Sequence, residues 1–226
     1  MACPEACTER NPRHARQRLR RYDEGMSRHD DFELLQMNMR SCTRCLDGGH
    51  SVTAGAVFSG TVGAHVMLVG QAPGPAEAVS GTPFCGPSGR RLFRWLADAG
   101  WQEDEFRRTQ YITAITKCFP GKGKTGRGDR VPTAGERELC APFLDRELEL
   151  VAPQLILAIG GAAITRFLGS GPLDARVGQA FHVGDRTVVP LPHPSGANLW
   201  LNRPESQALL RRTLNLLRDL RDGESL

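Results

Sequence analysis

Four short apolar runs, at residues 65–70, 111–116, 155–160 and 187–191, alternate with stretches of helical spacing at 90–99, 134–150, 162–168 and 204–220. Strands that are apolar on both faces need cover on both. A helix between successive strands supplies that cover and returns the chain for parallel pairing. The pattern predicts an α/β fold of three layers, α/β/α, around a central, mostly parallel four-stranded sheet. With 226 residues the chain can bury one sizeable core, which is placed at residues 27–226. Ahead of it, residues 1–26 are charged and poor in apolar side chains, the composition of a disordered tail. The tail's basic run, from Arg10 to Arg21, offers contacts to phosphate. Ser27 can cap a helix running through Phe32, Leu34, Leu35 and Met37 towards Cys42.

The stretch between the first strand and the next helix, Gly70 to Gly89, reads GQAPGPAEAVSGTPFCGPSG. It is too long and too rich in glycine and proline to be a plain connector. Its place is the carboxyl end of a strand, where open α/β sheets hold their ligands. It offers backbone N–H groups, one aromatic ring (Phe84) and one carboxylate (Glu77) around a hollow. Such an inventory suits a flat polar ring, such as a nucleobase.

The last strand runs into Pro192-His193-Pro194-Ser195, so a second loop can line the same crevice. The two prolines stiffen its backbone. An imidazole held there can donate a hydrogen bond to a carbonyl oxygen as negative charge develops on a departing base.

Cys42 and Cys45 form a C-x2-C pair, Cys118 closes the second strand, and Cys140 lies in the following helix. Four thiolates from three segments suit a [4Fe–4S] cluster or a structural zinc site. The alternative is that Cys118 and Cys140 simply fill small apolar spaces. Cys3 and Cys7 fall in the tail, and Cys85 falls inside the pocket loop, where packing explains it. The net charge is +4 and the isoelectric point about 8.8, a balance that permits nucleic-acid binding without demanding it. No apolar run approaches the roughly 18–20 residues of a membrane span, and the polar N-terminal stretch lacks the character of a secretory leader. A cytoplasmic protein with reduced cysteines is expected.

The loop Phe119–Val131, FPGKGKTGRGDRV, reads as exposed and mobile. Its Lys122, Lys124, Arg127 and Arg130 stand against a single Asp129, an arrangement suited to salt-sensitive contact with phosphate. Gly-Lys-Gly-Lys-Thr lacks the spacing and the strand–loop–helix context of a nucleotide phosphate loop.

In order, the chain carries SCTRC, GQAPGPAEAVSGTPFCG, YITAITKC, ELC and LPHPSGAN. This series resembles the uracil-DNA glycosylase superfamily, and most of all its iron–sulfur class, family four. The resemblance covers nearly everything from Cys42 onward. It implies excision of uracil, or a related deaminated base, by hydrolysis of the N-glycosidic bond in DNA. The expected partner is DNA containing such a base, bound by a monomer without membrane contact. The resemblance puts a flipped base against Gly70, Ala72, Gly74 and Phe84, with Ala114 opposite. Gln71 and Glu77 would position water, and His193 would stabilise the uracil anion. Ser195, Asn198 and Leu199 would meet the DNA, with Leu199 and Trp200 as a wedge. Cys42, Cys45, Cys118 and Cys140 would hold a structural [4Fe–4S] cluster.

Departures from the class pattern stand out on the strand, in the pocket motif and in the basic loop. Ala114 replaces the asparagine whose amide reads the Watson–Crick edge of uracil, a contact worth roughly 1–3 kcal/mol of discrimination. Gln71 replaces glutamate, so a group that can orient water but cannot accept its proton near neutral pH stands there. Ala78 replaces an aspartate, leaving Glu77 as the acidic residue of the motif. The basic loop is also longer than is common in the class, and it contains no histidine of the kind that traps the abasic sugar in a related branch. These departures keep a second expectation in view, a DNA-binding protein that recognises the lesion without cleaving it. A third, from another class, is a zinc-bearing interaction module.

Overall fold

The computed structural model describes residues 27–123, 126 and 128–224. The basic tail, Lys124 and Arg127 lie outside the described residues. Two helices open the structure, α1 (Arg28–Arg40) and the one-turn α2 (Arg44–Asp47). Ser27 caps α1 as its sequence predicts, in a reciprocal box with Asp30. Strand β1 (Val66–Gly70) leads through α3 (Pro75–Ser80) to α4 (Pro87–Asp98) and α5 (Glu103–Thr109). Next come β2 (Tyr111–Ala114), α6 (Ala134–Val151), β3 (Leu155–Ile159) and α7 (Gly160–Leu168). The hairpin β4 (Phe181–Val183) and β5 (Arg186–Leu191) precedes the final helix α8 (Pro204–Glu224).

The sheet has five strands in the order β2-β1-β3-β5-β4, so the four-strand expectation is one short. The four predicted strands all pair in parallel. The addition is β4, a three-residue edge strand antiparallel to β5. Its side chains are only partly buried or exposed, so it lacks the apolar run that marks the other four.

Alternation along the strands feeds two cores. On one face Met67, Val69, Ile156, Ala158 and Val188 pack with Phe32, Leu35, Met39, Leu144 and Leu148 of α1 and α6. On the other, Val66, Leu68, Leu157, Val189 and Leu191 pack with Leu92, Leu96, Phe106, Leu214 and Leu217 of α4, α5 and α8. The three-layer α/β/α arrangement therefore follows from strands apolar on both sides. β1 sits between β2 and β3, and the chain leaves it first for one neighbour and later returns to the other. The carboxyl ends of β1 and β3 thus form a topological switch point, the crevice where such sheets bind ligands.

Candidate active site

The pocket loop is closed on itself by a carboxylate. Glu77 lies in the first turn of α3, where both its oxygens accept backbone N–H bonds, Oε2 from Gly74 and Oε1 from Phe84 at 2.5 Å. Its N-cap is Gly74 and Glu77 is the third helical residue, so G-x-x-E is a capping pattern. Burial pushes the Glu77 carboxyl above its ordinary pKa, while the two N–H donors pull it back. A second clasp comes from α5. Arg107 donates to the carbonyls of Pro83 at 2.8 Å and Phe84 at 3.1 Å, and its guanidinium lies 4.3 Å from the centre of the Phe93 ring. Phe84 is thereby held at φ +54°, a region unusual for a residue with a side chain. Gly89 is required beneath it, since a Cβ there would stand 1.7 Å from the Phe84 carbonyl oxygen.

The floor of the hollow is made of two residues without bulk. Gly70 and Ala114 are register partners at the carboxyl ends of β1 and β2. A methyl group on Gly70 would stand 2.9 Å from the tip of the Phe84 ring. The hollow is lined by Val57, Gly70, Ala72, Pro73, Glu77, Pro83, Phe84, Thr113 and Ala114, with about 10 Å³ of solvent space. That is room for one water. The structure thus brings Gly70, Ala72, Glu77, Phe84 and Ala114 together, while Gly74 supplies an N–H to the clasp. Gln71 follows the strand directly, half-buried, and its carbonyl accepts from the Thr116 N–H at 3.2 Å.

His193 arrives from β5 at the same edge of the sheet. Its Nδ1 accepts the Ser195 backbone N–H at 3.2 Å. A backbone N–H can only donate, so a neutral ring must carry its proton on Nε2. Burial lowers the histidine pKa below its ordinary value, against an opposing pull from Asp129. Burial thus favours the neutral ring, whose remaining donor is the Nε2–H. Gly160, at φ +81° where β3 enters α7, lets the ring approach; a Cβ there would lie 3.2 Å from His193 Cβ and Cδ2. Asn198 clamps the loop, donating to the His193 carbonyl at 2.8 Å and accepting from Trp200 N at 3.2 Å. Arg91 of α4 reaches the Ser195 carbonyl at 3.4 Å. Leu199 projects at 74 % exposure. Trp200 beside it is tethered, its indole N–H bonded to Asp174 at 2.5 Å.

The basic loop divides into two. Arg130 is committed to Glu136, with bonds of 2.7 and 2.5 Å, and to the Ser51 carbonyl at 3.0 Å. Its guanidinium holds the Glu136 carboxyl down at about 2. Lys122 pairs with Asp129 at 2.8 Å, and both remain solvent-exposed.

The family model of the uracil DNA glycosylase superfamily matches residues 58–218. The chain belongs to this superfamily. A "Type-4 uracil-DNA glycosylase" of Thermotoga maritima is 28 % identical over 194 residues, covering 83 % of this chain and 92 % of the relative. One of the same description from Archaeoglobus fulgidus is 34 % identical over 131 residues, 58 % of this chain and 60 % of its own. A "Type-5 uracil-DNA glycosylase" of Pyrobaculum aerophilum is 30 % identical over 154 residues, 62 % and 65 % of the two chains.

In this superfamily member Cys42 lies at the α1–α2 junction, Cys45 in α2 and Cys140 in α6, while Cys118 does not close β2, which ends at Ala114, but lies four residues further on in the loop that follows. The thiols lie close enough to raise one another's pKa: Cys140 and Cys42 act on Cys45, and Cys140, Cys45 and Cys42 on Cys118. Burial is the larger cause, and with these neighbours it pushes Cys118 up to about 11. Backbone N–H groups point at two of the sulfurs, Lys117 at Cys140 (3.3 Å) and Gly55 at Cys118. Among the described residues, no three His, Cys, Asp or Glu side chains stand close enough to share one metal ion. Lys117 joins the thiols to the pocket. Its N–H faces Cys140, and its buried ammonium bonds the Ala114 carbonyl at 2.6 Å, Thr113 at 2.8 Å and Glu147 at 2.6 Å.

Proposed function

We propose that this protein is a monofunctional uracil-DNA glycosylase, hydrolysing the N-glycosidic bond of uracil or a related deaminated base in DNA for base-excision repair. The observation that carries the reading is His193, whose ring burial favours in its neutral form and whose Nε2–H stands at the sheet edge that also holds the Phe84–Gly70 hollow. The glycosidic bond breaks with its electron pair leaving on the base. The Nε2–H of His193 stabilises the resulting anion by donating to a base oxygen, the oxyanion logic applied to a leaving group. Water adds to the sugar carbon, and its proton ends on the released base. Gln71 orients that water through its amide. Glu77 shapes the pocket through its two backbone clasps. The base must first leave the stack, which costs a few kcal/mol and least in a mispair such as U·G. Phe84 rises from Gly70 to admit and stack on the base. Leu199, projecting beside the tethered Trp200, fills the gap in the duplex, and Lys122 and Ser195 face the phosphates. The protein acts as a monomer in the cytoplasm.

Cys42, Cys45, Cys118 and Cys140 hold a [4Fe–4S] cluster in this reading. Each thiolate of such a cluster binds a different iron, so the ligands need not crowd around one ion. The N–H donors aimed at sulfur suit that group. Held by these four cysteines, a cluster would tie the α1–α2 segment, the loop after β2 and α6 together, a structural role outside the hydrolysis. The visible absorption of an iron–sulfur protein supports it; a colourless protein with stoichiometric zinc removes it.

The testing experiment is base release from oligonucleotides carrying U·G, single-stranded uracil, hypoxanthine or xanthine, read as alkali-labile sites. Release from any of them supports the reading, and none from all four sinks it. Ala114 favours the second reading, a lesion-binding protein without cleavage, because it faces the hollow with no amide to read a base. That reading predicts salt-sensitive binding to uracil-containing DNA with no base released.

A further inference from the structure

Loss of the base as an anion leaves positive charge on the deoxyribose, and a nearby fixed anion lowers the cost of forming it. The motif that should supply one does not. Gln71 is neutral, and Glu77 spends both oxygens on the backbone N–H groups of its own loop. A third acidic side chain reaches the same place from a different segment. Asp129 belongs to the loop after β2, far from the pocket loop in sequence. That loop folds back on itself through a bridge between Lys122 and Asp129. The fold carries the carboxylate to Gly74, where Oδ2 lies 3.3 Å from the position a Cβ would occupy. Oδ1 is bonded to Lys122 at 2.8 Å. The carboxylate remains 37 % exposed, so it borders the mouth of the hollow rather than its floor. Its charge is felt on both walls of the crevice, at Glu77 and at His193.

We propose that Asp129 is the carboxylate that faces the reacting sugar and stabilises its developing positive charge, standing in for the acidic group that Gln71 cannot provide. The proposal rests on the glycosylase reading for its chemistry, though not for its geometry. The bond broken is the glycosidic one, the electron pair leaves on the base, and water closes the sugar, so hydrolysis needs no further reagent. Lys122 holds Asp129 in the resting protein through an exposed ion pair, a weak tether that a DNA phosphate can compete for.

The experiment uses two duplexes that differ at one nucleotide. One carries a pyrrolidine abasic analogue, cationic where the sugar would be, and the other the neutral tetrahydrofuran analogue. The purified full chain is expected to prefer the cationic duplex by about tenfold, the scale of one partly screened charge pair. Asp129→Asn should lose that preference and bind the neutral duplex no more weakly. Asp129→Glu should regain much of it. Lys122→Met should weaken binding to both duplexes alike and keep the ratio. On a uracil substrate, Asp129→Asn should release base about 100-fold more slowly. Asp129→Asn that keeps the preference overturns the proposal, as does a parent protein with none. A parent that shows the preference but releases no base upholds the placement of Asp129 and removes the glycosylase reading instead.

Discussion

Two loops at the same end of the sheet are built on opposite principles. The loop after β1 is held by its own backbone: Glu77 takes two N–H groups, Arg107 takes two carbonyls, and the Phe84 backbone is fixed between them while its ring is left free to turn. The loop after β2 is held by side-chain ion pairs at two points, Lys122–Asp129 and Arg130–Glu136. Backbone clasps around a half-buried carboxylate resist salt and fix a pocket wall. The exposed Lys122–Asp129 pair yields to salt and to competing phosphates, while the Arg130–Glu136 pair, with its carboxylate buried, anchors the base of the loop. The molecule therefore joins a rigid wall to an adjustable rim, and the two respond to different perturbations.

The largest effect should come from the rigid wall. Gly89→Ala puts a methyl group where the Phe84 carbonyl oxygen already stands. A loss of about 4 kcal/mol or more is expected in chemical denaturation, with base release abolished. A well-folded, active variant would show that the wall bends after all. His193→Ala should come next, slowing base release about 100- to 1,000-fold at unchanged stability, the usual cost of one donor to a developing anion. An unaltered single-turnover rate would take His193 out of the mechanism.

Arg130→Ala tests the rim. It strands the Glu136 carboxylate, which is 2 % exposed, at a cost of about 3 kcal/mol, or about 9 °C in Tm for a chain of this size. The difference should depend on pH. Glu136 titrates at about 2 in the folded protein against 4.5 ordinarily. The stabilisation from its depressed pKa is full above 4.5 and fades as pH falls from there towards 2, so parent and variant should converge in acid. A gap that stays constant across that range would mean the pair contributes nothing. The smallest effect is Ala114→Asn, which restores an amide opposite Phe84. A gain of about tenfold in uracil discrimination over thymine is expected. No gain would mean that the floor is already read by other groups.

How much of this was legible depends on the range of the contacts involved. The four parallel strands declare themselves as apolar runs, because burial on both faces leaves no room for polar residues. β4 does not, since an exposed edge strand of three residues carries no such mark. α5 buries only Phe106, too little for a helical period to emerge. The capping role of Glu77 was open to reading, because Gly74 and Glu77 stand in the spacing of a box. The approach of Asp129 to Gly74 was not, for it depends on how a long loop folds back in three dimensions. Arg130 shows the same limit: its sequence neighbours suggest phosphate, while its spatial neighbour is Glu136.

Asn198 has a mechanical consequence. One side-chain amide grips the His193 carbonyl and the Trp200 N–H together, with Leu199 carried between. The imidazole and the projecting leucine are therefore mounted on one strut. Any displacement of the exposed Leu199 is transmitted to His193, so the two move as a single unit.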